Sequence, residues 1–531
     1  VDGLFTKGWP PFSMPVCYCK NCEGLPERNT PAYHDRFVER TLELWRLYQK
    51  IAAEKSPENV YFGNLGGGAA AGVNLKRLGE VAWWFNADKQ GRIGTTPAWA
   101  CAQQGRVATA VMKGRTITNV TGSWATGRPL WRNAAKSPAE AAMWMAQTVA
   151  SGMVVWYHWL GAQTGLGEDR RWQEGGRQFL LWHARHEKHF VNLRSIANLG
   201  VVLAQRTHTF YRPAPGGSAL DHLQGVYYAL LEGRFPFDLV HADDLEPDRL
   251  RKYSALVLPN VALLGGAQCR QLEQYVANGG SLLTTFETGL YDERGNARRD
   301  FGLARLFEMS KAGDRQVSRG FENSFYARIE KQHDILDGFS GTNWLPGAEQ
   351  RVPVRASGDP VLTVVPPYPA YPTEVLYSKT PRTDEPAVVI RERGASRLLH
   401  FCGDIDRSFW LSGNTDLGRL IQNSVRWLLR GQLPVVVEGD GVVEIFAWET
   451  EPGFAVHVLN YNNPNLHRGY IRKHYPIGPQ RVKMTVPSGR RITRVELLRA
   501  ERDIPFEVRP GEVRFTIPQV VDYEVAALYA E

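Results

Sequence analysis

The chain has 531 residues, 43% hydrophobic and 22% charged, the make-up of a folded globular protein with room for about two to four domains. Its net charge of +8 arises from basic residues scattered among acids, as in GEDRRW and RTDEPAVVIRERG. That pattern gives no basic stripe for nucleic acid, and no apolar run reaches the about 18 residues that a membrane helix needs. Six cysteines are too few for a disulfide scaffold in a chain of this length.

Val1, Leu4 and Phe5 read as a buried strand, and Trp9-Pro10-Pro11 as the loop after it. The chain thus opens in mid-strand without an initiator Met, which implies a removed leader or an earlier start. No leader is visible, so the compartment stays open. Up to about residue 195, strands alternate with helices. VDGLF, NVYFGN, EVAWWFN, RVATAVM, TITNVTGSW and GMVVWYHWL read as strands. AYHDRFVERTLELWRLYQKIAAE and SPAEAAMWMAQTVASG read as helices. The second opens on Ser137, Pro138 and Glu140, a helix start signal. Such alternation predicts a parallel sheet. A whole (β/α)8 TIM barrel takes about 250 residues, so 1–195 reads as the last four or five strands of one.

From 196 to 430 the alternation restarts, from LGVVLAQ to NTDLGRLIQNSVRWLLRG, with a β-rich insertion over about 310–390. This predicts a flavodoxin-like, doubly wound domain. Residues 431–531 are short strands separated by Gly, Pro and Asn turns, which predicts a C-terminal β-sandwich.

Sixteen tryptophans occur, twelve of them before Leu193. Indole faces suit the flat C–H faces of sugars, and they also fill large cores. Four features together carry a resemblance: the CYCKNC loop on a barrel, ASGMVVWYHWLGAQTG as a last barrel strand, the stretch SALVLPNVALLGGAQCRQLEQYVANGGSLLTTFETGLYDERG in an amidotransferase-like sheet, and the terminal sandwich. In this order of parts the chain resembles the family 42 β-galactosidases and their relatives with a β-galactosidase trimerisation domain. The resemblance implies a glycosidase acting on an oligosaccharide or glycoside, a homo-oligomer such as a trimer, and no cofactor in catalysis. It also implies that the first three barrel strands lie upstream of Val1.

Cys17, Cys19 and Cys22 are spaced to share one structural Zn²⁺, or else pack as reduced thiols. In the family a similar cluster draws its fourth cysteine from upstream. Cys101 and His34 are the candidates to replace it here. The family's catalytic Glu residues end the fourth and seventh barrel strands. The corresponding stretches here read Thr6-Lys7-Gly8-Trp9 and NVTGSW, without a carboxylate.

Glycoside cleavage ordinarily needs two carboxyl groups across the bond. The catalytic candidates are Asp88, flanked by Lys89 and Arg92; Asp2, in the opening strand; and Asp169, beside Glu168. Each has a plainer reading: Asp88 in a polar turn, Asp2 in a structural Asp-Gly pair, Asp169 in an ion pair with Arg170 or Arg171. Trp9, Trp84, Trp124 and Trp156 are candidate sugar-stacking residues, and Lys7, Asn64, Arg92 and His158 candidate hydroxyl contacts. The period-two alternation of a strand puts Trp156 and His158 on one face. His183, His186 and His189 follow no metalloprotease pattern and read as a surface or interdomain helix. The sequon at Asn119 lies in a predicted buried strand and is discounted.

Two other readings compete. A glutamine-amidotransferase enzyme needs a Cys on a strand-to-helix turn, yet none follows SLLTTFETG, and Cys269 sits in a helical pattern. A non-catalytic carbohydrate-binding protein would keep the aromatic cleft and explain the missing carboxylates.

Overall fold

The computed structural model describes residues 20, 23–28, 30–62, 74–91, 96–112, 114–125, 131–159, 169–191, 193–211, 217–463 and 470–531. Two compact units emerge. One is made of 1–197, 234–238 and 433–531, the other of 198–233 and 239–432.

The first unit begins with helix α1 (Pro31–Lys55), whose Thr30 hydroxyl accepts from the Tyr33 amide as an N-cap, and α2 (Leu75–Val81). Strand β1 (Trp84–Asp88), helix α3 (Ala100–Met112), strand β2 (Thr116–Gly122), helix α4 (Pro138–Ala150), strand β3 (Val154–His158) and helix α5 (Arg171–Arg185) follow. β1, β2 and β3 are adjacent and parallel, the arrangement that intervening helices impose. Two expected strands are corrected. RVATAVM lies inside α3, because an Ala-rich helix buried almost all round has the same unbroken apolar run as a buried strand. Asn59–Phe62, the described part of NVYFGN, is not in a strand. α3 and α4 approach closely at Gly105, where an added Cβ would come 1.9 Å from Ser151 Oγ. At the head of α4, Ser137 makes no capping bond, and Glu140 instead accepts from Trp144 Nε1 at 2.8 Å and from the Ile471 amide at 2.7 Å.

The second unit contains β4 (Leu199–Leu203), α6 (Leu220–Glu232), β5 (Asp238–His241), β6 (Ala255–Leu258), α7 (Gly266–Ala277), β7 (Ser281–Thr285), β8 (Val388–Arg393), β9 (Ser396–Phe401) and α8 (Thr415–Leu428). Its six-stranded sheet runs β8-β9-β7-β6-β4-β5. β9, β7, β6 and β4 are parallel, and β8 is antiparallel to β9. Every residue of β4, β6 and β7 is buried, as expected of strands covered on both faces. α7 stops at Gly279 (φ +98°), the left-handed position where glycine ends a helix without strain. The stretch between β7 and β8 is built largely of short antiparallel strands.

Residues 433–531 fold into two antiparallel sheets and rejoin the first unit. The four-stranded sheet carries Val435–Glu438, Gln480–Thr485, Glu512–Ile517 and Phe506–Arg509. The other has six strands, with Arg194–Ser195 at its edge beside Val443–Thr450. Val456, Val458, Met484 and Val513 are among the side chains filling the space between them.

Side chains from the helices lock onto this sandwich. Trp448 Nε1 donates to the Ala150 carbonyl at 2.9 Å, and Trp182 Nε1 to the Leu498 carbonyl at 2.7 Å. Arg106 of α3 is 4% exposed and pairs with Glu444, 1% exposed, at 3.1 Å. Its guanidinium lies between the Phe237 and Phe446 rings, 4.0 and 3.8 Å from their centres, and also donates to the Phe237 carbonyl. Tyr461 OH donates to the second oxygen of Glu444 at 2.9 Å. The predicted histidine helix packs here as well. His189 meets Tyr529 OH at 3.3 Å, and His457 of the sandwich meets Tyr523 OH at 2.6 Å. Burial pushes His189 down to about 4 and His457 down to about 3.

Arg106→Leu leaves Glu444 charged and buried, and is expected to cost about 3–5 kcal/mol. Arg106→Leu combined with Glu444→Leu is expected to recover much of that loss. Urea denaturation of the three proteins checks both. His457 binds its proton less readily folded than unfolded. The stability its neutral ring contributes is therefore complete above about pH 6.5 and is lost as pH falls towards 3. Glu524, raised to about 7 by burial, acts with the opposite sign in part of that window. The comparison that isolates the imidazole is the slope of Tm against pH from 6.5 to 4, expected to be shallower in His457→Gln than in the parent.

Candidate active site

Parallel register assigns the faces of β1–β3. Asn86 aligns with Thr118 and Val154, Asp88 with Val120 and Trp156, and Gly122 with His158. Alternate residues form the opposite face, and their contacts show which way it points. Asn119 Nδ2 donates to Thr148 Oγ1 of α4 at 2.9 Å and to Cys101 Sγ of α3 at 3.2 Å. Tyr157 OH donates to the Trp172 carbonyl of α5 at 3.0 Å. That face is covered by helices, so Trp84, Asn86, Asp88, Thr118, Trp156 and His158 occupy the face turned away from them, where a barrel keeps its lumen.

This inner face is an aromatic wall held by hydrogen bonds. Trp84 Nε1 donates to Thr118 Oγ1 at 3.0 Å, and Thr118 donates on to Asn86 Oδ1 at 2.9 Å. Phe62 stacks on Trp84 with ring centres 4.5 Å apart and meets the edge of Trp156 at 6.5 Å. His158 stands edge-on to Trp156 at 5.9 Å and to Trp124 at 5.7 Å. Trp156 and His158 therefore share a face, as their spacing predicts. Trp124 itself is fully buried, so it supports the wall from behind and offers no face for a sugar to stack on. The loops at the strand ends are tied together. Ser123 donates to the His158 carbonyl through its amide and its hydroxyl, and Lys136 Nζ and the Gly122 amide both donate to the Gln90 carbonyl.

Among the described residues of the three strands, Asp88 is the one carboxylate on the inner face. It is half-buried, at the carboxyl end of β1. The next residue, Lys89, points to the helix side, where burial lowers its affinity for a proton. The end of β2 reads Gly122-Ser123-Trp124 and carries no carboxylate.

Asp169 is engaged elsewhere. It accepts from the Ala135 amide at 2.8 Å and from Arg171 through the amide, Nε and Nη2, at 3.0, 2.9 and 2.6 Å. The Arg171 bonds hold its carboxyl well below the usual carboxylate range, and the group fastens the Trp131–Ala135 strand to the start of α5. Asp2, Lys7, Trp9, Cys17, Cys19, Cys22, Asn64 and Arg92 lie outside the described residues. Cys101, one candidate fourth metal ligand, is fully buried, bonded to Asn119, and pushed up to about 12 by burial, which suits a neutral core thiol. No group of three or more His, Cys, Asp or Glu among the described residues is placed to hold a metal ion. Asn119 is wholly buried, so its sequon is not a surface one. No helix among the described residues is long and apolar enough to cross a membrane.

Sequence reasoning did not single out Phe62 or Thr118. Thr118 joins the site through its register opposite Asn86, and Phe62 through its stacking on Trp84. Neither signal exists before the strands are paired.

Residues 202–313 match the family model of the β-galactosidase trimerisation domain. With this match and its α/β fold, the chain is similar to the family-42-like glycoside hydrolases. The solved structures it resembles include α-L-fucosidase isoenzyme 2 from Paenibacillus thiaminolyticus, with TM-score 0.76 and 17% identity over 98% of this chain and 76% of that one. The β-galactosidase from Bacillus circulans sp. alkalophilus follows with TM-score 0.71 and 14% identity, over 93% of this chain and 67% of that one. An exo-carrageenase GH42 from Bacteroides ovatus gives TM-score 0.54 and 9% identity over 97% and 58%. Identities this low establish a shared fold.

Proposed function

We propose that this protein is a glycoside hydrolase that cleaves O-glycosidic bonds in a β-galactosidase-like manner, at the carboxyl ends of β1–β3. The observation that carries the reading is the inner face: one half-buried carboxylate, Asp88, set beside a wall of Trp84, Trp156 and His158. Indole faces take the apolar faces of a sugar ring, and a carboxyl group at its edge can move a proton or attack the anomeric carbon. His158, with Lys7, Asn64 and Arg92, serves hydroxyl recognition, and Trp9 serves stacking. Asp2 is the candidate for the second carboxyl group. Asp169 is left out, because its oxygens are filled by Arg171 and Ala135.

The remaining parts fit a carbohydrate-processing assembly. The second unit is read as flavodoxin-like, supported by the spatial order β5-β4-β6-β7-β9, which is that fold's 2-1-3-4-5 order. The match of 202–313 to a trimerisation domain supports a homo-oligomer. A structural Zn²⁺ is proposed at Cys17, Cys19 and Cys22, with no role in catalysis. Metal analysis of the purified protein is expected to give about one zinc per chain, lost in Cys19→Ser, and a zinc-free parent protein would remove the proposal.

Hydrolysis of aryl β- and α-glycosides is expected to fall by about 10²–10⁴-fold in Asp88→Asn with its fold intact. Turnover that survives this change would move the carboxylate elsewhere. An absence of turnover on every sugar, with glycan binding retained, would replace the hydrolase reading with the carbohydrate-binding one.

A further inference from the structure

The inner face holds a hydrogen-bond donor that the fold orients and leaves unmet. Asn86, in the middle of β1, is 2% exposed. A chain of two bonds sets its side chain. An indole N–H can only donate, so Thr118 Oγ1 accepts from Trp84 Nε1 at 3.0 Å. The one hydrogen of that hydroxyl then goes to Asn86 Oδ1 at 2.9 Å. The opposite amide orientation would set Nδ2 against Thr118 Oγ1 and leave the hydroxyl hydrogen without an acceptor among the described residues. Asn86 Oδ1 is therefore engaged, and Nδ2 has no hydrogen-bond partner among the described residues. Such a group is rare in a folded interior, where a buried donor left unmet is costly.

Its position decides what can meet it. Asn86 shares the inner face with Asp88 and lies two residues nearer the amino end of β1. Two residues of strand span about 6.6 Å. Its neighbours in the same row are Thr118, already bonded to its Oδ1, and Val154, which has no polar side-chain atom. The buried polar groups of the helix side, Asn119, Cys101 and Thr148, bond to one another on the opposite face. A pyranose with its anomeric carbon at the Asp88 carboxyl extends its far side, with the C3 and C4 hydroxyls, towards Asn86.

We infer that Asn86 Nδ2 donates to the C3 or C4 hydroxyl of the sugar cleaved at Asp88, and so selects which sugar the site accepts. This rests on the reading of the inner face as a glycosidase site. Trp84 and Thr118 are positioning residues: they hold the amide so that its donor faces the sugar. A sugar without that hydroxyl leaves the donor buried and unmet. A site built to bond a hydroxyl rejects the analogue lacking it far more strongly than an apolar pocket rejects a small change of shape.

The test compares the full chain with Asn86→Ala and Asn86→Asp, circular dichroism and Tm confirming the fold. Asn86→Asp keeps the shape and the acceptor for Thr118 and replaces only the donor, so it carries the comparison if Asn86→Ala is unstable. Each protein is assayed on the aryl glycoside that the parent cleaves fastest, beginning with the β-D-galactoside, and on its monodeoxy forms. Asn86→Ala is expected to lower kcat/KM on the complete sugar by about 100-fold. In the parent, loss of the C3 or the C4 hydroxyl is expected to cost a similar factor. In the variant, that same deoxy sugar is expected to lose almost nothing more, because the pair is already broken. A parent-like rate in Asn86→Ala, a loss spread evenly over every deoxy form, or a pairing with the C2 or C6 hydroxyl overturns the inference and leaves the hydrolase reading standing. A parent that cleaves no glycoside removes the hydrolase reading. The contact is then read from quenching of tryptophan fluorescence by D-galactose and its deoxy forms, where the same pairing supports the inference and its absence, or an absence of binding, overturns it.

Discussion

A parallel strand between helices and a lumen must satisfy two environments with alternate residues, and β1–β3 depend on that constraint. On the helix side, Asn119, Thr121, Thr148 and Cys101 meet in a buried network. Such a network is tolerated only when its donors and acceptors find partners, so it fixes the register of β2 against α3 and α4. Once that register is set, the residues one step along have a single place to go. Trp84, Asp88, Trp156 and His158 are thereby gathered on the other face without needing direct bonds between them.

The helices that back this face are held in turn by the sandwich. Arg106 links α3 to Glu444, Trp448 links the end of α4 to its own strand, and Trp182 fastens α5. Each link joins a polar atom to a partner far away in sequence in a buried setting, where an unmet group costs more than a met one gains. The sandwich is therefore part of what positions the candidate site, even though none of the inner-face residues belongs to it.

Much of the element order was legible because its signals are local. Glycine at 279, the apolar runs of β4, β6 and β7, and the turn-rich pattern after residue 433 each depend on a few neighbours. The misread segment, RVATAVM, shows the limit: a helix buried on all sides loses the one-sided pattern that separates it from a buried strand. Ser137 shows another, since a good capping residue was present and the structure used Glu140 for a distant contact instead. The site was partly legible. Asp88, Trp156 and His158 stood at strand ends, while Asp169 looked equally suitable until Arg171 and Ala135 were seen to occupy its oxygens.

By itself the sequence determined the alternation of strands and helices, the aromatic richness of the first part, and the absence of a carboxylate after TITNVTG. These are properties of adjacent residues, and local sterics and periodicity act on them directly. Only the tertiary structure decided which face of each strand is the inner one, which carboxylate is already spent in a structural bond, and that Phe62 and Thr118 belong to the wall. Those outcomes depend on pairing between segments distant in the chain, and no local pattern encodes which partner a face or an oxygen atom will meet.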